Sequence, residues 1–373
     1  MRFLKTWFSG KTPDMNFHAI DIFRGLASLW VVLFHSFGDH YLKAGVSPVF
    51  DVFNAFHGQG NRGVEIFFII SGYCIFASAD KNYSTPLKFL KQRIKRIYPP
   101  YWASIVFGIV FTFLILQTGL THSARLPNIY DLFISFPLLR QTRLGYFNGP
   151  YWTLTHEVHF YLLIFCSILV FRRKFIYVAD FITIALIFSR IEINLFAGAP
   201  IIDQVLTLRS SWYSFYGGIL IYRIIRDIHK PSILYHLFWV MVFVYYQFFN
   251  PQNSVDLFAL SFMMFLLCVR PFDKKLLQLK IMKPFFLLGM ISYSLYLTHV
   301  MIAPKIMGLI HRLFELNNTM VLLIFFGMIL PLTLIISYYF YLFCERPFIH
   351  RKTSAYTKGL QSAPQPAQET GTG

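Results

Sequence analysis

Residues 16–41, NFHAIDIFRGLASLWVVLFHSFGDHY, constrain this chain more than any other stretch. Positions 19–38 are apolar enough to span a hydrocarbon core of about 30 Å, yet they contain Arg24 and His35. At about 100° per residue, the interval of eleven positions turns through about 1100° and returns to within roughly 20° of its start. Both side chains therefore lie on one side of one helix, about 16 Å apart along its axis. An ionisable side chain in a lipid-spanning helix is costly and faces the bundle interior or a water-filled cavity. Two on one side predict a polar path through the protein. The plainer alternative is an Arg that snorkels to the headgroups and a hydrogen-bonded core His, which leaves the shared side unexplained.

The rest of the chain is equally apolar. Of 373 residues, 56% are hydrophobic and only 14% charged, against about 25% charged in soluble domains, and mean hydropathy is +0.52. An all-α polytopic membrane bundle is expected, with ten spans at 19–38, 61–79, 99–118, 152–171, 175–190, 210–225, 233–249, 254–270, 284–303 and 319–343. The net charge of +17 would point to nucleic acid in a soluble protein; here it lies in short segments between spans. With the N-terminus inside, the inner segments hold 24 of the 34 Lys and Arg, the bias of the positive-inside rule, which places both termini in the cytoplasm. The domain reading is a cytoplasmic tail at 1–18, a membrane domain at 19–348 and a polar, disordered cytoplasmic tail at 349–373. No cleavable signal peptide is expected, because the first span is too long for one. Cys74, Cys166, Cys268 and Cys344 have neither zinc-like nor disulfide-framework spacing and read as small buried hydrophobes.

Several segments carry chemistry. The basic stretch 80–98 contains Arg93 and Arg96, neighbours on a helix. It reads either as a topology determinant at a lipid surface or as a phosphate site, since the planar guanidinium grips phosphate oxygens in pairs. The outer segment 119–151 is the longest connection, the usual length of a lid or binding loop, and runs into the interfacial aromatics Tyr151 and Trp152. The fourth span opens with His156, Glu157, His159 and Tyr161, too polar for packing alone; Glu157 and Tyr161 share a face. Positions 156 and 157 diverge by about 100° and no HExxH spacing exists, so no metal is expected. Glu65 lies about a turn inside the second span, and Ser71-Gly72 suits close helix contact. Ser292, Tyr293, Ser294, Thr298 and His299 in the ninth span either glue helices or line the polar path. Glu345 closes the tenth span, with an interfacial ion pair as its plainest role.

Together these segments resemble the integral-membrane acyltransferase family 3. Its opening pattern, a base and then His eleven positions on, resembles Arg24 and His35, flanked by Asp21 and Gly25. A second pattern is similar to Gly63, Glu65, Phe67, Phe68, Ser71 and Gly72; a third, Arg-x-x-Arg, to Arg93 and Arg96. Trp152, Leu154, Glu157, Phe160 and Tyr161 resemble a fourth, Ser292 to His299 a fifth, and Tyr341, Glu345 and Pro347 a sixth. The six occur in the family's order across about 16–348. Many members have a second acid beside Glu157, where this chain has His156. Some carry an additional soluble esterase-like domain at the C-terminus, which is not expected here.

The resemblance implies an O-acyltransferase of the bacterial inner membrane. It would move an acyl group, most simply acetyl, from cytoplasmic acyl-CoA to a hydroxyl of a cell-surface or lipid-linked carbohydrate such as an exopolysaccharide or lipopolysaccharide. No tightly bound cofactor is implied; acetyl-CoA is a co-substrate, and membrane lipids are the surroundings. His35 would act as general base or acyl carrier with Arg24 and Glu157. Arg93 and Arg96 would hold the donor, while Tyr151 and Trp152, with Tyr146, would stack on the acceptor. Asp21, Glu65, Ser71, Tyr293, His299 and Glu345 would form the supporting polar network. The competing class is a transporter of acyl groups, glycans or small solutes, which should show repeat symmetry and broken helices; no convincing internal repeat is visible. A membrane scaffold with basic lipid anchors leaves the shared side of Arg24 and His35 unexplained.

Overall fold

The computed structural model describes residues 17–41, 47–117, 119, 125–139, 143–192, 200–249 and 254–349. Most of both expected tails lies outside them. Among the described residues every regular element is helical, and each of the ten apolar segments falls on a helix. In chain order the helices are α1 (Ala19–Tyr41), α2 (Pro48–Gly58), α3 (Gly63–Asn82), α4 (Pro86–Gln117), α5 (Ile129–Ser135), α6 (Tyr151–Phe171), α7 (Phe175–Glu192), α8 (Pro200–Asp227), α9 (Ile233–Phe249), α10 (Ser254–Val269), α11 (Asp273–Gln278), α12 (Lys283–Leu313), α13 (Asn318–Ile324) and α14 (Leu330–Phe340). The last two are joined by a π-helical turn, Phe325–Ile329, and a second, Tyr341–Glu345, follows. Five stretches are long and apolar enough to cross a membrane: Ala19–Phe37, Pro48–Asn82, Pro86–Gln117, Lys280–Leu313 and Asn318–Phe348.

Glycines set two central crossings. A Cβ at Gly289 of α12 would stand 1.8 Å from the Asp21 carbonyl oxygen of α1, and one at Gly25 would stand 2.6 Å from the Phe285 carbonyl. The α3–α8 crossing is equally close, with Cβ positions at Gly72 and Gly218 2.1 and 2.0 Å from the carbonyls of Phe215 and Ile69. Only the absence of a side chain allows such backbone approach, so Gly72 has the close-contact role its sequence position suggests. The start of α1 is fixed from far along the chain. The Asp273 carboxylate accepts from the backbone N–H groups of Ala19 (2.6 Å) and His18 (3.1 Å), which supplies partners to donors that a helix N-terminus otherwise leaves open.

Two connections differ from expectation. Residues 80–98 are not a loop: α3 continues to Asn82 and α4 begins at Pro86, running unbroken through Pro99 and Pro100. Interior prolines remove i→i−4 bonds, which made them look like a helix start; in the same turn the Tyr293 hydroxyl donates to the Ile97 carbonyl at 3.0 Å. Segment 119–151 is not a free outer lid in its described part. Leu138, Leu144, Phe147 and Asn148 are buried. The Asn148 amide donates to the Leu297 carbonyl of α12 at 3.0 Å, so the segment wedges against the bundle.

A second polar cluster ties α3, α7, α8 and α9 together. Asp180 accepts both guanidinium nitrogens of fully buried Arg223, at 2.6 and 2.9 Å, and the hydroxyls of Tyr216 and Tyr235. Arg226 bridges Asp80 and Asp227, and Asp227 also accepts from Lys230. Arg223 is therefore interior, not part of a basic inner segment. Of the cysteines, all free, Cys166 and Cys268 are exposed on outward faces instead of buried, and Cys74 and Cys344 are half-buried.

Candidate active site

A cavity of about 740 Å³, its open mouth included, lies among α1, α3, α4, α6 and α12. Arg24 enters it from α1, Ser71 and Cys74 from α3, Arg93 and Arg96 from α4, Glu157 and Tyr161 from α6, and Tyr293 and Tyr296 from α12. Because α4 is helical through 93–96, both its arginines point into the bundle, where a loop would have let them reach solvent.

The polar groups are held to very different degrees. Glu157 is fixed: its Oε1 accepts from Ser71 Oγ at 3.0 Å and from the Tyr161 hydroxyl at 2.7 Å. Arg24 lies 3.6 Å from Asp21, a half-exposed carboxylate one turn earlier. Arg93 lies over the rings of Phe89 and Tyr161, both 5.9 Å from the centroid, and donates one nitrogen to Ser78 Oγ at 3.2 Å, while its buried Nε has no partner. Arg96 makes no hydrogen bond or ion pair among the described residues. The lining thus sets three guanidinium groups around the single carboxylate of Glu157, with the carboxylates of Asp21, beside Arg24, and of buried Glu345, which acts electrostatically on Arg24 and Arg96, just outside it. In a low-dielectric interior, cations with open donors favour an anionic ligand, and guanidinium geometry suits phosphate oxygens.

His35 is on the same helix as Arg24 but is not among the residues lining this cavity. Its ring lies against His299 of α12, centroids 5.3 Å apart. His299 is fully buried; its Nδ1 faces the carbonyls of Leu295 (3.1 Å) and Tyr296 (2.9 Å). A carbonyl can only accept, so Nδ1 carries the proton and Nε2 presents a lone pair, which has no hydrogen-bond partner among the described residues. Tyr296 stands between the two regions. It lines the cavity, its ring is 5.8 Å from that of His299, and its hydroxyl meets Thr153 Oγ1 at 2.6 Å and the Pro150 carbonyl at 3.1 Å.

The other sequence candidates spread around this core. Glu65 accepts from Ser214 of α8. His156 is buried with Nδ1 2.6 Å from Ser211 Oγ and its ring stacked on Phe68, so it faces away from Glu157. His159 Nδ1 meets the Thr155 carbonyl at 2.7 Å. Glu345 is buried and accepts from the Ser294 N–H (3.2 Å) and hydroxyl (2.5 Å), which joins the π-helical turn Tyr341–Glu345 to α12. Tyr151 is fully buried with its hydroxyl 2.9 Å from Ser104 Oγ, whereas Trp152 is 38% exposed. The Tyr146 side chain lies outside the described residues. No cluster of three or more His, Cys, Asp or Glu able to hold a metal occurs among the described residues. Cys74 and Tyr296 were missed as cavity residues. Each is three positions after a candidate, Ser71 and Tyr293, so helical spacing alone would have found them.

A family model described as an acyltransferase domain, acyltransferase 3, matches residues 17–342. The chain is similar to an exopolysaccharide production protein, ExoZ, of Rhizobium meliloti (strain 1021), 42% identical over 43 residues, which are 12% of this chain and 14% of that protein. It is 25% identical over 304 residues to a protein of Acidianus two-tailed virus named as an acetyltransferase, ORF330, covering 77% and 83% of the two chains. It is 29% identical over 165 residues to a Komagataeibacter xylinus protein named as a membrane-bound transacylase, BcsY, covering 41% and 37%. The chain thus spans well under two thirds of two of these relatives. No solved structure matches it.

Proposed function

The chain belongs to the acyltransferase 3 family, and from that premise we propose that it is a membrane O-acyltransferase. It takes an acyl group, acetyl in the simplest case, from cytoplasmic acyl-CoA and passes it to a hydroxyl of an envelope carbohydrate, free or lipid-linked. The names of ExoZ and BcsY support a polysaccharide-related acceptor and a membrane-bound transacylase chemistry. The observation that carries the proposal is the cavity in which Arg24, Arg93 and Arg96 surround one lining carboxylate and Arg96 makes no hydrogen bond or ion pair among the described residues. Such a site suits the phosphates of coenzyme A. The bias of Lys and Arg toward one set of connections supports an orientation with both termini and the arginine end of the cavity toward the cytoplasm; ten crossings of a bacterial inner membrane complete this reading.

In this scheme the arginines bind and orient the donor, and Glu157, immobilised by Ser71 and Tyr161, balances their charge. About 16 Å along α1 from Arg24, His35 takes the proton of the acceptor hydroxyl as that oxygen attacks the thioester carbonyl. The C–S bond breaks and coenzyme A leaves as thiolate, to be reprotonated. Alternatively, the imidazole of His35 takes the acyl group first and hands it to the acceptor. His299, with its proton fixed on Nδ1, offers a lone pair beside His35 that can hold the proton or orient the ring. Trp152, the exposed aromatic of the Tyr151–Trp152 pair, is the better placed to meet a sugar face.

The test is acyl transfer from labelled acetyl-CoA by the purified protein in nanodiscs. His35-dependent thioester cleavage supports the proposal. A labelled acyl-enzyme that disappears in His35→Ala supports the relay, and equal labelling of that variant rules out His35 as carrier. Folded protein that never cleaves acyl-CoA with a range of envelope glycans present overturns the donor assignment.

A further inference from the structure

The segment around α5 (Ile129–Ser135) has its amphipathic pattern turned inside out. Asp131 and Ser135, four positions apart and so on one face, are 9% and 0% exposed, while Ile129, Tyr130, Phe133 and Phe136 are 86%, 58%, 78% and 54% exposed. In water a surface helix turns its polar face outward and its apolar stripe to the core. Polar groups turned inward and apolar groups outward are the arrangement of a segment surrounded by hydrocarbon.

The backbone at the end of the segment points the same way. Three successive carbonyls, those of Ser135, Phe136 and Pro137, each accept from an aromatic donor of α4: the Tyr101 hydroxyl at 2.9 Å, Trp102 Nε1 at 3.2 Å and the Tyr98 hydroxyl at 2.7 Å. The Trp102 and Phe136 rings stack with centroids 4.5 Å apart and planes 8° apart. At a helix C-terminus the last carbonyls lack intrahelical partners. In contact with water they need no help, but inside a bilayer each must be satisfied by protein. The outward residues also continue a lipid-facing stripe on the span Pro86–Gln117, where Val106, Val110 and Phe113 are at least half exposed.

We propose that residues 125–139 form a re-entrant element immersed in the hydrocarbon layer, with Ile129, Tyr130, Phe133 and Phe136 packed against phospholipid acyl chains and the carbonyls of residues 135–137 capped by the aromatic donors of α4. The proposal rests on the membrane-spanning character of α4 and not on the acyl-transfer chemistry. The same connection then wedges Phe147 and Asn148 into the bundle and sets the start of α6, on which Glu157 stands. A carbohydrate acceptor held on a lipid carrier would meet this face from within the bilayer instead of from water.

The test places the photo-crosslinking analogue p-benzoylphenylalanine, which adds a para-benzoyl group to Phe, at the 78%-exposed position 133 of the full chain, in nanodiscs of a single phosphatidylglycerol species. The same analogue at Phe343, 73% exposed on the last membrane stretch, is the lipid-facing reference. After irradiation the intact mass is measured. A one-phospholipid adduct at position 133, within about twofold of the yield at position 343, is the expected result. Adducts at position 343 with none at 133 would place the segment in water and overturn the proposal. A crosslink from position 133 to a second copy of the chain would overturn it too, since the face would then be a protein interface.

Discussion

Arg96→Gln separates a binding residue from a structural one. A charge-assisted hydrogen bond contributes about 1.5–3 kcal/mol net, and about 1.4 kcal/mol is tenfold in affinity. Loss of one donor–phosphate contact therefore raises KM for acetyl-CoA roughly 10- to 100-fold. Stability should change far less. Arg96 makes no hydrogen bond or ion pair among the described residues, so its removal breaks no short contact, and Glu157 keeps its bonds from Ser71 and Tyr161; Glu157 and Glu345 lose only a more distant positive charge. The melting temperature in detergent or nanodiscs should stay level. Arg96→Lys keeps the charge but loses the planar fork, and its KM should fall between the two. Initial rates of labelled acetyl transfer and thermal unfolding read both quantities from one preparation. If KM in folded Arg96→Gln stays within twofold of the parent, the phosphate assignment is wrong. If the protein instead loses stability, Arg96 is part of the scaffold.

The remaining expectations address the other parts of the molecule. His35→Ala should lower kcat by about 10²–10⁴-fold with donor KM little changed; a change in KM alone would move His35 from chemistry to binding. His299→Gln should lower kcat and alter its pH profile while leaving donor KM intact, since His299 touches His35 and not the arginine cavity; an unchanged pH profile would leave His299 a packing residue. Gly289→Ala drives a Cβ into the Asp21 carbonyl, and overpacking of this kind costs about 1–3 kcal/mol, seen as a lower melting temperature; an unshifted one would show that α1 and α12 separate easily. Asp180→Asn leaves Arg223 as an uncompensated buried charge, which costs about 3–5 kcal/mol, without affecting donor KM in whatever protein remains folded.

Much of this was legible in the sequence where one physical signal dominated. Apolar runs fell on ten helical stretches, five of them within the segments long and apolar enough to cross a membrane, and Arg24, Arg93, Arg96, Glu157 and Tyr293 were each named as candidates, Arg24, Arg93, Arg96 and Tyr293 beside a plainer lipid-interface or packing role. They meet in one cavity, although they come from four helices. The errors arose where two signals compete. Pro99 and Pro100 read as a boundary because proline breaks interior hydrogen bonds, but tertiary contacts carry α4 through them. The length of segment 119–151 suggested a lid, and local sequence gave no hint that Tyr98, Tyr101 and Trp102 would hold its carbonyls. Helical periodicity correctly put Arg24 and His35 on one side of α1, yet a shared side does not make a shared cavity: the axial separation of about 16 Å leaves room for Tyr296 between them.

The contrast among the buried charges is the strongest physical reason to place the site at the arginine cavity. Taking an ion out of water costs several kcal/mol even after relaxation, so interior charges are normally paired and hydrogen-bonded. Elsewhere the described buried carboxylates meet that rule, although Arg223 too keeps a buried Nε without a hydrogen-bond partner among the described residues. Asp180 holds four hydrogen bonds from Arg223, Tyr216 and Tyr235; Asp227 is shared by Arg226 and Lys230; Lys305 donates to Thr112 at 3.0 Å over the face of Phe147. The same chain leaves Arg96 with no hydrogen bond or ion pair among the described residues and Arg93 with an open Nε, beside a third guanidinium held only at 3.6 Å by Asp21. Scaffold charges gain nothing from such an arrangement. A site that must capture a multiply phosphorylated donor and release it after each turnover needs donors that the protein itself does not satisfy.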